Sequence, residues 1–411
     1  MINKNTVIGT IRQGFLDAAY IWKQEIKTIF HDIGVMIFLF LLPLAYPIIY
    51  GLIYNPQTPR DLPVVVVDNS RSTLSRKFTR MLDATSQVKI LSYAANMDEA
   101  KALTFEQKAY GILEIGREFA HDVNRGDQAN LQLYCITNSL LYYRNILTAA
   151  TDVVAAFNQQ IQEEGIKAAT LKQQSMVINP VKASSLALYN PTSGVATFIM
   201  PGVEILVIQQ SFLLAIGMLA GTQREHNRNH ELVPLNMHYF GTFRTIIGKA
   251  LCFVTIGIIT SFWTLIVVPL IFNLPHLGNH LEIMAFIFPF LLASIFLGMT
   301  LSCIMRGREM PMLFYVFMSV PLMFMSGISW PWASIPKGWQ YVATLFPSTY
   351  GIQGFIQLNS CGASLDDIRP YMVVEWILAF VYFFTACIVY RYQVKKSMDM
   401  IKFKQQVIAK R

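Results

Sequence analysis

Charged residues are scarce in this chain: they make up 14% of its 411 residues, whereas an ordinary soluble domain carries about 25%. The shortage is local, because charges vanish from several long apolar windows and return to normal levels elsewhere. The composition therefore excludes a single soluble globular domain. It is typical of a polytopic membrane protein with a soluble insert.

Cysteine is also sparse, and its spacing excludes two common uses. The five cysteines form no CxxC pair, and no Cys/His cluster has the spacing of a zinc site. The sequence therefore predicts no metal site. Cys135 and Cys361 both fall in segments predicted to lie outside the cytoplasm, and the sequence does not decide whether they form a disulfide.

Catalytic signatures are missing as well. The sequence contains no GxSxG, no HExxH and no Gly-rich nucleotide loop. In "GTFRTIIGKA" (241–250), six residues separate the glycines, and Ala250 replaces the hydroxyl that would bind magnesium. We predict no catalytic residues and no cofactor. We also expect no nucleic-acid partner, because no basic stripe is interleaved with aromatic residues.

Six apolar windows are each long enough to cross a bilayer, which takes about 20 residues. The first begins too far along the chain, and is too long, for a cleaved signal peptide. We therefore expect a polytopic α-helical membrane protein with six transmembrane helices. The windows are 33–54, 196–220, 250–274, 283–304, 310–329 and 371–390.

A segment of ordinary polarity separates the first two windows and is predicted to fold as a domain over 55–195. Strands expected at 62–70, 87–93, 109–115 and 129–136 alternate with short helices, which is the pattern of an α/β domain. A long helix should follow, capped by Asn138 or Ser139. Its apolar face is predicted to contain Ile146, Ala150, Val153, Phe157 and Ile161.

The distribution of basic residues predicts the orientation. Lys and Arg favour the cytoplasmic side in short flanking loops. With residues 1–32 and the basic tail 392–411 in the cytoplasm, the short outer loops carry only Lys337 and Arg369. We therefore expect both termini to be cytoplasmic and the α/β insert to be extracytoplasmic.

Two further segments are predicted to lie at the membrane surface or to dip into it. Residues 15–32 form an amphipathic helix typical of the interface, with Phe15, Ala18, Trp22, Ile26 and Ile29 on one face. Residues 331–360, within the membrane region 196–391, combine prolines with interfacial aromatic residues. Their short helices cannot span, so we expect a re-entrant segment, or alternatively one that lies flat on the surface.

Glu204 is a carboxyl group inside the second window, roughly 9 Å from its start at 1.5 Å per residue. A charged side chain facing lipid is costly, so Glu204 should face protein or water. Ser211 and Ala215 share its helical face. Two interpretations remain: a substrate path in which Glu204 attracts cations, or a hydrogen-bonded contact between helices. Glu282 and Glu375 are expected to be exposed at outer helix ends.

Several stretches resemble the membrane subunit of a type-2 ATP-binding-cassette exporter, in its multidrug-type branch. "VVDNSRSTLSRKFTRMLDAT" (66–85) and "GILEIGREFAHDVNRGD" (111–127) resemble parts of that family's insert. "YNPTSGVATFIMPGV" (189–203) resembles its return into the membrane, and "LFPSTYGIQGF" (345–355) a Pro-containing motif before its last span. "GTQREHNRNHELVPLN" (221–236) contains the Arg-Glu pair, although "HNRNH" replaces the usual second Glu with Gly-Thr.

The resemblance implies a permease subunit of an exporter in the bacterial inner membrane. It would pair with a second permease, as a homodimer or heterodimer, and depend on a separate ATPase subunit for ATP. The substrate would be hydrophobic or amphipathic, such as a drug or lipid, and a periplasmic adaptor is a further partner of such systems. The residues that would couple the ATPase to the spans are Arg224, Glu225, Arg228, Lys23, Glu25 and Lys27.

Two alternatives compete with this interpretation. Arg224 and Arg228 would serve only as cytoplasmic anchors if they take no part in coupling. The whole chain would be a membrane receptor or sensor if the insert binds a ligand and the spans merely transmit the signal. Five closely spaced spans after the insert argue against a receptor, since one or two spans suffice for signalling.

Overall fold

The computed structural model describes residues 7–54, 58–125, 127–136, 139–165, 194–226 and 242–409. They divide into two compact units: residues 56–187 form one, and residues 1–55 with 188–411 form the other. The second unit begins with helix α1 (Val7–His31) and helix α2 (Ile33–Tyr54). Asp32 separates them and caps α2, since its Oδ1 accepts a hydrogen bond from the Val35 N–H at 3.2 Å.

The 56–187 unit is an α/β domain whose four strands occur where the sequence predicts them. They are β1 (Leu62–Asp68), β2 (Val88–Tyr93), β3 (Gly111–Ile115) and β4 (Leu131–Cys135). The spatial order is β2-β1-β3-β4, with β4 antiparallel to β3 and the other pairs parallel. The helices are α3 (Thr73–Asp83), α4 (Met97–Phe105), α5 (Phe119–Arg125) and α6 (Leu140–Gly165).

Two cores cover the two faces of this sheet. Helices α3, α5 and α6 pack on one face, and α4 packs on the other. The predicted apolar face of α6 is confirmed, because Ile146, Val153 and Phe157 are buried in the larger core. Ser139 caps α6 through a weak bond from the Tyr142 N–H, whereas Asn138 lies outside the described residues.

The turn after β1 depends on a carboxyl group. Asp68 accepts hydrogen bonds from the Ser70 and Arg71 N–H groups at 3.0 and 2.9 Å, and from the Ser75 hydroxyl at 2.7 Å. Ser75 and Ser72 in turn form a capping box at the start of α3. Asp68 therefore fixes the junction between strand and helix.

The remaining helices belong to the membrane unit. They are α7 (Val195–His226), α8 (Thr242–Ile271), α9 (His280–Ser302), α10 (Met310–Met325), α11 (Lys337–Ala343), α12 (Pro347–Cys361) and α13 (Arg369–Ala409). Among the described residues, five helices are long and apolar enough to cross a membrane: α2, α7, α8, α9 and α13. Helix α10 is apolar but shorter than these.

Helix α7 is the central helix of this unit, and it contacts α9, α10 and α12. Helix α12 starts beside it with no cap from its own N-terminal residues. Gln209 of α7 supplies the missing partner: its Oε1 accepts from the Ser348 N–H at 2.7 Å, and its Nε2 donates to the Ser348 hydroxyl at 3.1 Å. A side chain of one helix thus caps another.

The short helices α11 and α12 differ in burial. The turn between them is held by the Tyr382 hydroxyl of α13, which donates to the Leu345 carbonyl. Most of α12 is buried, whereas Ala343 is the one buried residue of α11. Three aromatic side chains before α12 are exposed: Trp330, Trp339 and Tyr341.

Candidate functional site

Helix α1 packs tightly against the first half of α8. Gly248 permits the close approach, because a Cβ atom there would lie 2.9 Å from the Ala18 carbonyl oxygen. The side chains of Ala18, Ile21 and Ile29 are buried on the contacting face of α1. Of the face predicted to lie in the membrane interface, Phe15 is exposed, and Trp22 and Ile26 are partly buried.

Two ion pairs join α1 to α8. Arg244 Nη1 lies 2.8 Å from Asp17 Oδ2, and Lys249 Nζ lies 2.9 Å from Glu25 Oε1. The second pair is almost fully buried, with 5% of the Glu25 side chain and 7% of the Lys249 side chain exposed. A buried charge is stable only with its partner, so this pair fixes where α1 sits on α8.

A small cavity lies beside the buried pair. Its volume is about 10 Å³, room for roughly one water molecule. Four helices each contribute one polar side chain to its lining: Glu25 of α1, Gln223 of α7, Lys249 of α8 and Tyr390 of α13. Four helices therefore meet at one polar point inside the unit.

A third ion pair links the junction of α1 and α2 to the loop between α9 and α10. Arg308 forms a bidentate ion pair with Asp32: Nη2 donates to Oδ1 at 2.5 Å, and Nη1 donates to Oδ2 at 2.8 Å. Nη1 also donates to the Thr222 hydroxyl of α7 at 3.2 Å. Bidentate pairs of this kind are strong and directional.

The last turn of α7 is bonded to the same loop. Arg224 donates from Nη1 to the Met305 carbonyl and from Nη2 to the Cys303 carbonyl, each at 2.7 Å. Glu225 Oε1 accepts from the Arg308 backbone N–H at 2.9 Å. A side chain at Gly221 would collide with the Gly307 carbonyl, so a glycine is required at that position.

Together these contacts define a helix-end cluster, the set of polar residues that ties α1, α2, α7 and the α9–α10 loop to one another. Each link between the α1–α2 junction, α7 and the loop is a directional hydrogen bond or ion pair. The members of the helix-end cluster are Asp32, Thr222, Arg224, Glu225 and Arg308.

The three residues predicted for a substrate path are all buried on α7. Glu204 is 3% exposed, and its Oε1 has no hydrogen-bond partner among the described residues. The Ser211 hydroxyl donates to the Val207 carbonyl at 2.8 Å, and Ala215 lies in the apolar core. These side chains would line a path only after neighbouring helices separate.

The expectation that Glu375 is exposed at a helix end is wrong. Helix α13 begins at Arg369, so Glu375 lies almost two turns into it, on the face that packs against α9 and α12. Its side chain is fully buried. Glu282 is half-buried and accepts from the Leu365 N–H at 3.0 Å.

Comparison with known proteins decides the family. The family model for ABC-2 family transporter proteins matches residues 33–388. The chain belongs to the ABC-2 transporter family. This family consists of membrane subunits of ATP-binding-cassette transporters, which implies a partnership with an ATPase subunit. Five apolar helices and family membership agree on a multi-pass membrane protein.

Two curated relatives of this ABC-2 protein are distant. It is 22% identical to the linearmycin resistance permease protein LnrN of Bacillus subtilis, over 84% of this chain and 91% of that protein. It is 20% identical to ABC transporter G family member 20 of Dictyostelium discoideum, over 89% of this chain. The chain spans only 50% of the Dictyostelium protein.

The structure of the ABC-2 protein places the predicted coupling residues in different surroundings. Arg224 is buried and bonded within the chain, and Glu25 is buried in its ion pair, so both position other elements. Lys23 and Lys27 are exposed on α1, and Glu225 is exposed at the end of α7. Arg228 lies outside the described residues.

Each of the three ion pairs made by α1 and its junction with α2 in this ABC-2 protein includes a residue that the sequence did not point to. These residues are Asp17, Asp32, Arg244, Lys249 and Arg308. A usable signal was present for one pair: Glu25 stands four residues from Ile21 and from Ile29, so it lies on an apolar stripe. Lys249 similarly stands near the start of an apolar window.

Proposed function

We propose that the chain is the permease subunit of an ATP-driven exporter that works with a separate ATPase. The helix-end cluster supports this proposal most directly, because it connects a surface helix to several spans through fixed polar contacts. The chain's own sequence lacks a Gly-rich nucleotide loop, so the energy would come from the partner. Both termini and the helix-end cluster would face the cytoplasm, where the basic short loops belong.

In this proposal the ATPase docks below α1 and α7. Closure of two ATPase subunits moves α1, and the helix-end cluster passes that movement to α7 and to the α9–α10 loop. Exposed side chains such as Lys23 and Glu225 would touch the ATPase, whereas Arg224 and Arg308 transmit the movement inside the chain.

The α7 helix is the proposed wall of a substrate path that opens when its neighbouring helices separate. Glu204 supports this role, because its carboxyl group is buried in an apolar span and its Oε1 has no partner among the described residues, which is costly. The apolar surroundings suit a hydrophobic or amphipathic substrate. Glu204→Gln should reduce export of cationic substrates more than that of neutral ones, and an equal effect on both would contradict the role.

The coupling proposal is tested by substituting Arg308 in the assembled complex. Arg308→Ala removes both bonds to Asp32 and the bond to Thr222, so the ATPase should still bind while transport per ATP falls. Arg306→Ala is the matched control, since Arg306 is an exposed arginine in the same loop. Unchanged transport per ATP in Arg308→Ala would contradict the proposal.

A further inference from the structure

A polar groove of about 580 Å³ runs along the second half of α1, where the chain turns into α2. Basic and hydroxyl side chains line it from three parts of the chain: α1, the end of α7 and the α9–α10 loop. The residues are Gln24, Lys27, Thr28, His31, Asp32, Ile33, Thr222 and Arg308.

The charge of the groove is positive. Asp32 is the acidic lining residue, and its carboxyl group is occupied by Arg308 and by the Val35 N–H. Lys27 is exposed and forms no ion pair with any residue that the structure describes. An anion in the groove would therefore meet Lys27 and the outer face of the Arg308 guanidinium.

His31 lies on the wall of the groove beside Lys27. Its Nδ1 lies 2.7 Å from the Lys27 carbonyl oxygen, and a carbonyl only accepts, so Nδ1 carries a proton. The two hydroxyl groups of the lining are already bonded: Thr28 donates to the Gln24 carbonyl at 2.9 Å, and Thr222 accepts from Arg308 Nη1 at 3.2 Å. The positive charge that an anion would meet in the groove therefore comes from Lys27 and Arg308.

An apolar stripe continues from the rim of the groove down α2. Ile33 lines the groove and is 78% exposed, and Ile37 and Leu41 follow it on successive turns, 44% and 57% exposed. Phe30 of α1 is also exposed, and its ring centroid lies 5.5 Å from that of Phe40 of α2, so the wall is apolar on both helices. In a membrane protein this surface contacts acyl chains.

We propose that the groove binds the phosphate headgroup of an anionic phospholipid whose acyl chain lies along Ile33, Ile37 and Leu41. The continuity of a cationic groove with an exposed apolar stripe on a spanning helix favours a lipid over a soluble anion or an acidic protein segment, neither of which needs the stripe. Basic pockets at the membrane surface bind acidic headgroups in this way. The site does not depend on the identity of the transported substrate.

The test uses the full chain in nanodiscs of phosphatidylcholine doped with phosphatidylglycerol, followed by native mass spectrometry to count retained phosphatidylglycerol. The double variant Lys27→Ala/His31→Ala should retain about fivefold less phosphatidylglycerol, the factor expected for the loss of one lysine near the membrane surface. Lys27→Arg should retain as much as the wild type. Lys89→Ala/Lys101→Ala is the matched control, since both lysines are exposed in the α/β unit, and it should behave as the wild type.

Three outcomes would overturn the proposal. Equal retention of phosphatidylglycerol in all variants would show that the groove does not select acidic headgroups. If inorganic phosphate displaced the lipid and Leu41→Ser retained as much phosphatidylglycerol as the wild type, the groove would bind a free anion. Weaker binding of the ATPase by Lys27→Ala/His31→Ala with unchanged lipid retention would assign the groove to protein docking.

Discussion

Glu25 and Glu204 are both buried acidic side chains, but they differ in their partners. Glu25 is paired with Lys249, whereas Glu204 Oε1 has no partner among the described residues. A paired charge inside a protein holds two elements in register. An unpaired carboxyl group in an apolar span is costly and marks a candidate for function. Glu25 is therefore a structural residue, and Glu204 is a candidate for function.

Removing one partner of the buried Glu25–Lys249 pair should destabilise the fold far more than removing both. Lys249→Met leaves the Glu25 carboxylate buried and alone, so the free energy of unfolding should fall by about 3–5 kcal/mol. The double variant Glu25→Leu/Lys249→Met should recover most of that loss, because no charge remains buried. Unfolding of the purified chain in detergent measures the stability of the single and the double variant. If Lys249→Met were as stable as the double variant, Glu25 and Lys249 would not form a buried ion pair.

The Cys135 thiol lies outside the spans and offers a pH test. Burial in β4 raises the pKa of Cys135 from 9.0 to about 11. Only the thiolate reacts with iodoacetamide, so alkylation of folded Cys135 at pH 8 should be about 100-fold slower than in the unfolded chain. The rate should rise as the pH approaches 11. Mass spectrometry of the Cys135 peptide gives the rate, and equal rates in the folded and unfolded chain would contradict its burial.

At the scale of elements, helix α12 shows how one helix depends on another. Its first residues have no local cap, and Gln209 of α7 accepts from the buried Ser348 N–H. Gln209→Leu leaves that N–H unsatisfied and should destabilise the fold by about 1–3 kcal/mol. The neighbouring Gln210 is the matched control, because both of its amide atoms are buried without a partner.

Gln210→Leu should be neutral or stabilising, since it removes an unsatisfied amide from the interior. Thermal unfolding of the two single variants in the same detergent compares them directly. If Gln210→Leu were the more destabilising variant, the hydrogen bonds from Gln209 to Ser348 would not be the reason for the position of α12.

Some elements could be predicted from sequence because their signals are local. The run "LPVVVVDNS" indicates a buried strand and its turn, and the spacing of Ile146, Val153 and Phe157 indicates the inner face of α6. The partners of charged residues could not be predicted in this way. Asp32 and Arg308 are 276 residues apart, and no local pattern shows that they meet.

The same limit explains the error at Glu375. A carboxyl group close to the start of an apolar window is ordinarily exposed at the membrane surface. Here α12 packs beside α13 and buries it, which depends on the fold of a separate segment.

At the scale of the whole molecule, the chain combines two compact units with separate cores. The α/β unit has its own sheet and an apolar core on each face, so residues 56–187 expressed alone should fold and unfold cooperatively in urea. Circular dichroism and intrinsic fluorescence should give coincident transitions. A gradual, non-cooperative loss of signal would show that this unit needs the membrane unit to fold.

We propose that this ABC-2 protein has no ATPase activity of its own and draws energy from a separate ATPase. ATP turnover by the purified chain in nanodiscs, alone and with an ATP-binding-cassette ATPase of the same organism, tests this most directly. We predict no hydrolysis by the chain alone, together with a stable complex whose ATPase turnover changes on assembly. Hydrolysis by the isolated chain, or failure of every such ATPase to bind it, would contradict the account.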